Sequence, residues 1–159
     1  MTVRFFYDFR EDLIKDLTGH FSKEIEAYRH SQDQLRQIDE AQALIQKYFD
    51  QFLSQMSELM QATRDQVSFD QGEEVIAKLA IMNHYLKFTR KNLSIEVKIG
   101  YHVPELNLVE SQVLSYIVPG DKRAKIKRVG KVHDGSHFDE NALNYYMREA
   151  FSKIEFSRG

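Results

Sequence analysis

Cysteine is absent from this chain, which excludes a disulfide framework, a thiolate zinc site and a cysteine nucleophile. That absence fits a reducing compartment, and the expected location is the cytoplasm. Long apolar runs are also missing. The longest lies around Val113 to Val118, far too short to cross a bilayer, and the opening MTVRFFYDFRED holds no stretch long enough for a signal-peptide core. Neither membrane insertion nor export through a cleaved signal is expected.

There is no glycine-rich phosphate loop, no dinucleotide fingerprint, and no serine or carboxylate set by spacing to form a triad with a histidine. The chain is therefore expected not to be an enzyme, and no cofactor or metal is expected. Neither sign of charge dominates, with 22 Lys and Arg against 24 Asp and Glu, so the overall field gives no reason for nonspecific attraction to nucleic acid. Repeats, low-complexity linkers and shifts of composition are absent too. With 42% hydrophobic residues, the 159-residue chain reads as a single domain, 1–159, able to bury its own core.

The patterns that are present predict an α+β fold: a long antiparallel helical hairpin plus a small antiparallel β-sheet packed by a C-terminal helix. Residues 2–7, TVRFFY, are rich in β-branched and aromatic types and read as a strand. From Phe9 the period changes. Phe9, Leu13, Leu17, Phe21, Ile25 and Tyr28 recur every three or four residues, marking an amphipathic helix with Gly19 as its weak point. Ser31 and Gln34 form a capping box that either starts a second helix or sits inside a continuous one.

Ile38, Gln42, Ile45, Phe49, Phe52, Met56, Leu59 and Thr63 then step by four and three, a heptad seam of the coiled-coil type. Val75, Leu79, Met82, Leu86 and Thr89 repeat that spacing after a capping box at Ser68 to Gln71, which predicts a return helix over about 69–91. Together these make the hairpin, with the helical part spanning about 9–92.

Beyond Leu93 the period becomes two. Ile95, Val97, Ile99 and Tyr101 alternate with Glu96 and Lys98 in a half-buried strand that Pro104 ends. A second strand is expected over 112–118, followed by a wide connection at Pro119-Gly120. Lys122 to Lys131 forms a third strand with one or two bulges after Ile126. Asp134-Gly135 closes this β-rich part, about 93–135. Ser136 and Asp139 offer N-caps for a last helix, about 139–152, carrying Leu143, Tyr146, Met147, Ala150, Phe151 and Ile154 on one face.

Three features carry chemistry. Lys122, Arg123, Lys125, Lys127, Arg128 and Lys131 crowd into one stretch. Alternation aligns Arg123, Lys125 and Lys127 on one face, with Ala124 and Ile126 on the other, an arrangement that suits an acidic ligand or the phosphates of a nucleic acid. The competing reading is a solvated edge strand whose lysines deter edge-to-edge pairing. No aromatic residue lies within the stretch to stack on bases.

The neighbouring HDGSHFDE gathers His133, Asp134, His137, Asp139 and Glu140. Two imidazoles and a carboxylate are the raw material of a metal-dependent hydrolase, but a turn followed by a helix cap explains the same residues more simply. Lastly, the seam is wider than a two-stranded coiled coil needs. Leu44, Tyr48, Phe49, Phe52 and Met56 are its expected protein interface, toward a partner or a second copy in a homodimer. Lone histidines at His84 and His102 have positions from which they could face a cleft. The functional expectation is a non-catalytic binding, inhibitor or adaptor protein, with direct nucleic-acid binding through Lys122 to Lys131 as the alternative.

Overall fold

A computed structural model of the protein describes residues 8–129 and 135–156. The strand expected at 2–7 lies outside these residues, as does 130–134. The chain divides into two compact units, Met1–Asp33 and Gln34–Gly159.

In the first unit, helix α1 (Phe9–His20) opens on Asp8. The Asp8 carboxylate accepts the Arg10 N–H at 2.9 Å and the Arg10 Nε–H at 2.8 Å, and this guanidinium holds the Asp8 carboxyl below its usual range. The Phe21 N–H bonds to the Leu17 carbonyl at 2.9 Å, and helix α2 (Ser22–Gln55) follows at once. The capping box at Ser31 goes unused, because α2 runs through it without a break.

The second unit begins within α2, passes a short helix α3 (Ser57–Ala62), and continues into six strands: β1 (Val67–Asp70), β2 (Val75–Ile81), β3 (His84–Arg90), β4 (Ile95–Val103), β5 (Leu108–Val118) and β6 (Lys125–Arg128). Each strand pairs antiparallel with the next, giving the order β1-β2-β3-β4-β5-β6. Helix α4 (Glu140–Phe151) is the last element of the described chain, N-capped by Asp139, which accepts from the Asn141 and Ala142 N–H groups.

The α+β class and the C-terminal helix thus stand, and the helical hairpin does not. Residues 67–90 form β1, β2 and β3 where a return helix is predicted, so the sheet is not small and, among the described residues, only one long helix is present. The segment supports two periods at once. Leu79 and Leu86 belong both to the helical set and to an alternating set that includes Ala77 and Phe88, and the latter is the one buried. The residue content tips the balance, since Val75, Ile76, Ile81, Tyr85, Phe88 and Thr89 are β-branched or aromatic. The turn was hidden. It falls at Met82-Asn83, where Met82 adopts a positive φ of 55° with no glycine to announce it.

One face of the sheet makes the core. Leu79, Leu86, Phe88, Val97, Ile117 and Ile126 are buried against Ile38, Ile45 and Phe49 of α2 and Leu143 and Tyr146 of α4. Phe88 sits between the helices, its ring 5.8 Å from Phe49 and 5.9 Å from Tyr146. The seam residues of α2 therefore meet a sheet. Among the described residues, no helix is long and apolar enough to cross a membrane.

Two substitutions check this core and its turn by urea unfolding. Phe88→Ala empties the contact between the helices and is expected to lower stability by about 3–5 kcal/mol. Met82→Gly removes the left-handed penalty of a side chain at positive φ and is expected to raise stability by about 0.5–1 kcal/mol.

Candidate functional site

The basic segment is held in place by a buried amide. Gln37 on α2 is 1% exposed. Its Oε1 accepts the Gly120 N–H at 2.8 Å and its Nε2 donates to the Gly120 carbonyl at 3.1 Å, so both backbone groups of Gly120, in the connection between β5 and β6, are satisfied by one side chain. A Cβ at position 120 would lie 2.4 Å from the Arg123 carbonyl oxygen, which is why glycine stands there. The connection is wide, as the Pro119-Gly120 pair predicts.

From this anchor β6 runs with the expected alternation. Ala124 and Ile126 are buried, while Arg123, Lys125 and Lys127 are exposed. Its register on β5 is unbroken from Ser115↔Arg128 to Val118↔Lys125, so the bulge expected after Ile126 is not in the strand. Register shifts fall elsewhere, between Val75 and Ala77 and between Val97 and Lys98.

The six basic residues do not form one cluster. Lys125 and Lys127 share the open face of the sheet. Arg128 points to the core side, its guanidinium 5.2 Å from the Tyr145 ring centroid. Arg123 donates to the Phe138 carbonyl at 3.4 Å, and the Lys122 carbonyl accepts from Arg36 at 3.5 Å. Lys131 lies outside the described residues. The missing aromatic comes from the next strand, since Tyr116 stands directly opposite Lys127. Only pairing brings these two together.

β6 ends the sheet, yet its outer edge is already occupied. The Ile126 N–H donates to the Ser136 carbonyl at 2.8 Å, the Gly135 N–H to the Ile126 carbonyl at 3.2 Å, and the Phe138 N–H to the Ala124 carbonyl at 2.9 Å. An edge blocked by its own chain has little need of lysines as a deterrent.

The expected protein-interface residues lie against the core of the second unit. Phe49 is fully buried, and Leu44, Tyr48 and Phe52 pack around the same core. The Tyr48 hydroxyl donates to Asn144 Oδ1 at 2.8 Å, and burial, with Glu140 nearby, raises its pKa. Met56 is half-buried between α2 and α3, at the N-cap position of α3.

Of the metal candidates, His133 and Asp134 lie outside the described residues, His137 is exposed and bridges to Lys125, and Asp139 serves as the α4 cap. Among the described residues no group of three His, Asp or Glu side chains is placed to hold a metal ion. His84 does face a cleft, of about 280 Å³, shared with Tyr101, Glu110, Glu149 and Lys153. There the Glu110 carboxylate accepts the Tyr101 hydroxyl at 2.7 Å and raises that phenol's pKa. His102 is exposed.

Comparison with family models, curated proteins and solved structures returned no match. The functional reading rests on the geometry.

The Gln37 anchor is open to test. Gln37→Leu leaves the Gly120 N–H and carbonyl without their partner and is expected to cost about 2–3 kcal/mol in urea unfolding. Amide hydrogen exchange at Gly120 should accelerate in the same variant.

Proposed function

We propose that this protein is a non-catalytic binding protein that holds an acidic ligand against its basic end strand. Lys122, Arg123, Lys125 and Lys127 are the contact residues. The observation that carries this reading is the occupied outer edge of β6. Because residues 135–138 already hydrogen-bond along it, edge protection no longer accounts for exposed lysines on the neighbouring face, and attraction to an anion does.

A second reading concerns protein contact and rests on the first unit. No residue of α1 is buried, although Phe9, Leu13, Leu17 and Phe21 recur every four residues and are 63%, 42%, 46% and 44% exposed. An apolar stripe of this kind is suited to a partner helix. Charges of both signs flank it, with Arg10 and Lys15 beside Glu11, Asp12 and Asp16. The stripe can therefore pair with its own copy in a homodimer.

Salt-gradient elution from heparin-agarose tests the first reading. The wild-type protein should be retained, and the Lys125→Glu, Lys127→Glu double variant should elute at clearly lower salt with an unchanged circular dichroism spectrum. Equal elution of the two proteins would remove the basic strand from the site. For the second reading, sedimentation should give about twice the 18.7 kDa chain mass, and Leu13→Glu with Leu17→Glu should return the chain mass.

A further inference from the structure

The open face of the sheet carries a second set of cations that is dispersed in the sequence. Lys78 on β2 stands directly opposite Lys87 on β3, which stands directly opposite Lys98 on β4. Adjacent strands lie about 4.8 Å apart, so three ammonium-bearing chains form one row on one face. Like charges placed directly opposite one another oppose strand pairing. Alternation asks only that these positions be polar, and it does not ask for three lysines. Among the described residues, only Lys98 of the three reaches a carboxylate, Glu96 at 3.7 Å.

The row shares its face with β6. One step along the strands, the register runs from Thr89 through Glu96 and Tyr116 to Lys127. Every described strand residue on this face is half-buried or exposed, and α2 and α4 pack on the other side. Among the described strand residues, five lysines, at 78, 87, 98, 125 and 127, face two carboxylates there, Asp70 and Glu96. The face is cationic on a chain whose formal net charge is −2.

Two aromatic rings lie among these lysines. Tyr85 is paired with Gly100, and its ring covers that glycine so closely that a Cβ there would sit 2.7 Å from the ring carbons. Lys78 Nζ is 5.2 Å from the centroid of the same ring. Tyr116 lies between Glu96 and Lys127, its hydroxyl donating to the Glu96 carboxylate at 3.3 Å. Cations interleaved with rings on an open surface are what an unpaired strand of nucleotides uses, phosphates meeting lysines and bases meeting rings. A duplex hides the faces of its bases, and an acidic protein surface has no use for the rings.

We infer that this face binds a single-stranded polynucleotide, with Lys78, Lys87 and Lys98 on its phosphates and Tyr85 and Tyr116 stacking on its bases. The inference rests on the acidic-ligand reading and enlarges its site beyond β6. Glu96 is the internal counter-ion that the phosphates displace.

Fluorescence anisotropy of the full chain tests this, with labelled oligodeoxythymidylate and oligouridylate as single strands, a duplex, and poly-glutamate, each over a range of salt. The two single strands should bind more tightly than the duplex or poly-glutamate, and their relative affinities identify the sugar preferred. Replacing Lys78, Lys87 and Lys98 together by Gln should reduce the slope of log affinity against log salt by about two. Relief of like-charge repulsion should leave the melting temperature of that variant equal or higher.

Tyr85→Leu with Tyr116→Leu should weaken single-strand binding about tenfold and leave the salt slope unchanged, while the corresponding Phe variants retain affinity. Glu96→Gln should tighten binding. An unchanged slope in the triple Gln variant would overturn the inference. So would poly-glutamate binding as tightly as the single strands with the Leu variants unaffected, which would identify an acidic protein as the partner. If the triple Gln variant is silent and Lys125→Glu with Lys127→Glu still weakens polyanion binding, the lysine row falls and the β6 reading stands; if neither set has an effect, both fall.

Discussion

Alternation along β3 is the constraint on which the rest depends. Phe88 must point inward to fill the space between Phe49 and Tyr146, and that forces Lys87 and Thr89 outward. Because the neighbouring strands are locked in register, Ala77 and Val97 turn inward with Phe88 while Lys78 and Lys98 turn outward with Lys87. A slip of one residue would carry lysines into the core and the phenylalanine into solvent. The same packing that stabilises the inner face thus determines the charge pattern of the outer one.

Polar groups fix how α4 and the second unit's stretch of α2 meet the sheet. Gln37 closes on Gly120. Arg90 at the end of β3 reaches Asp39 at 3.0 Å and Gln42 at 2.8 Å. Ser115 and Tyr146 share a buried hydrogen bond of 2.7 Å beneath β5. Apolar burial is tolerant of small rotations, whereas these contacts are directional. No buried side-chain nitrogen or oxygen among the described residues lacks a partner, so the anchoring is achieved without stranded polar groups.

Much of this was legible in the residues, though unevenly. Asp139 and the apolar spacing of Leu143, Tyr146 and Ala150 specify α4, and the alternation of Ile95, Val97 and Ala124, Ile126 specifies β4 and β6. The α2 seam was legible as an apolar face, but a period does not say what the face packs against. Residues 67–90 misled because Leu79 and Leu86 satisfy two periods and because the turn at Met82 lacks glycine. The basic stretch at Lys122 to Lys131 was conspicuous as a run. Lys78, Lys87 and Lys98 were not, since only strand pairing brings them into one row.

The strictly sequential strand order has a kinetic consequence. Each strand meets its neighbour in the chain across a short connection, so the sheet can assemble hairpin by hairpin with little loop-closure entropy at each step. The helices are the opposite case. Tyr48 bonds to Asn144 and Gln37 to Gly120 across most of the second unit's length, and these closures must wait until the intervening strands have shortened the path. The meander therefore acts as a ruler for its own core, bringing together two distant helices by local steps.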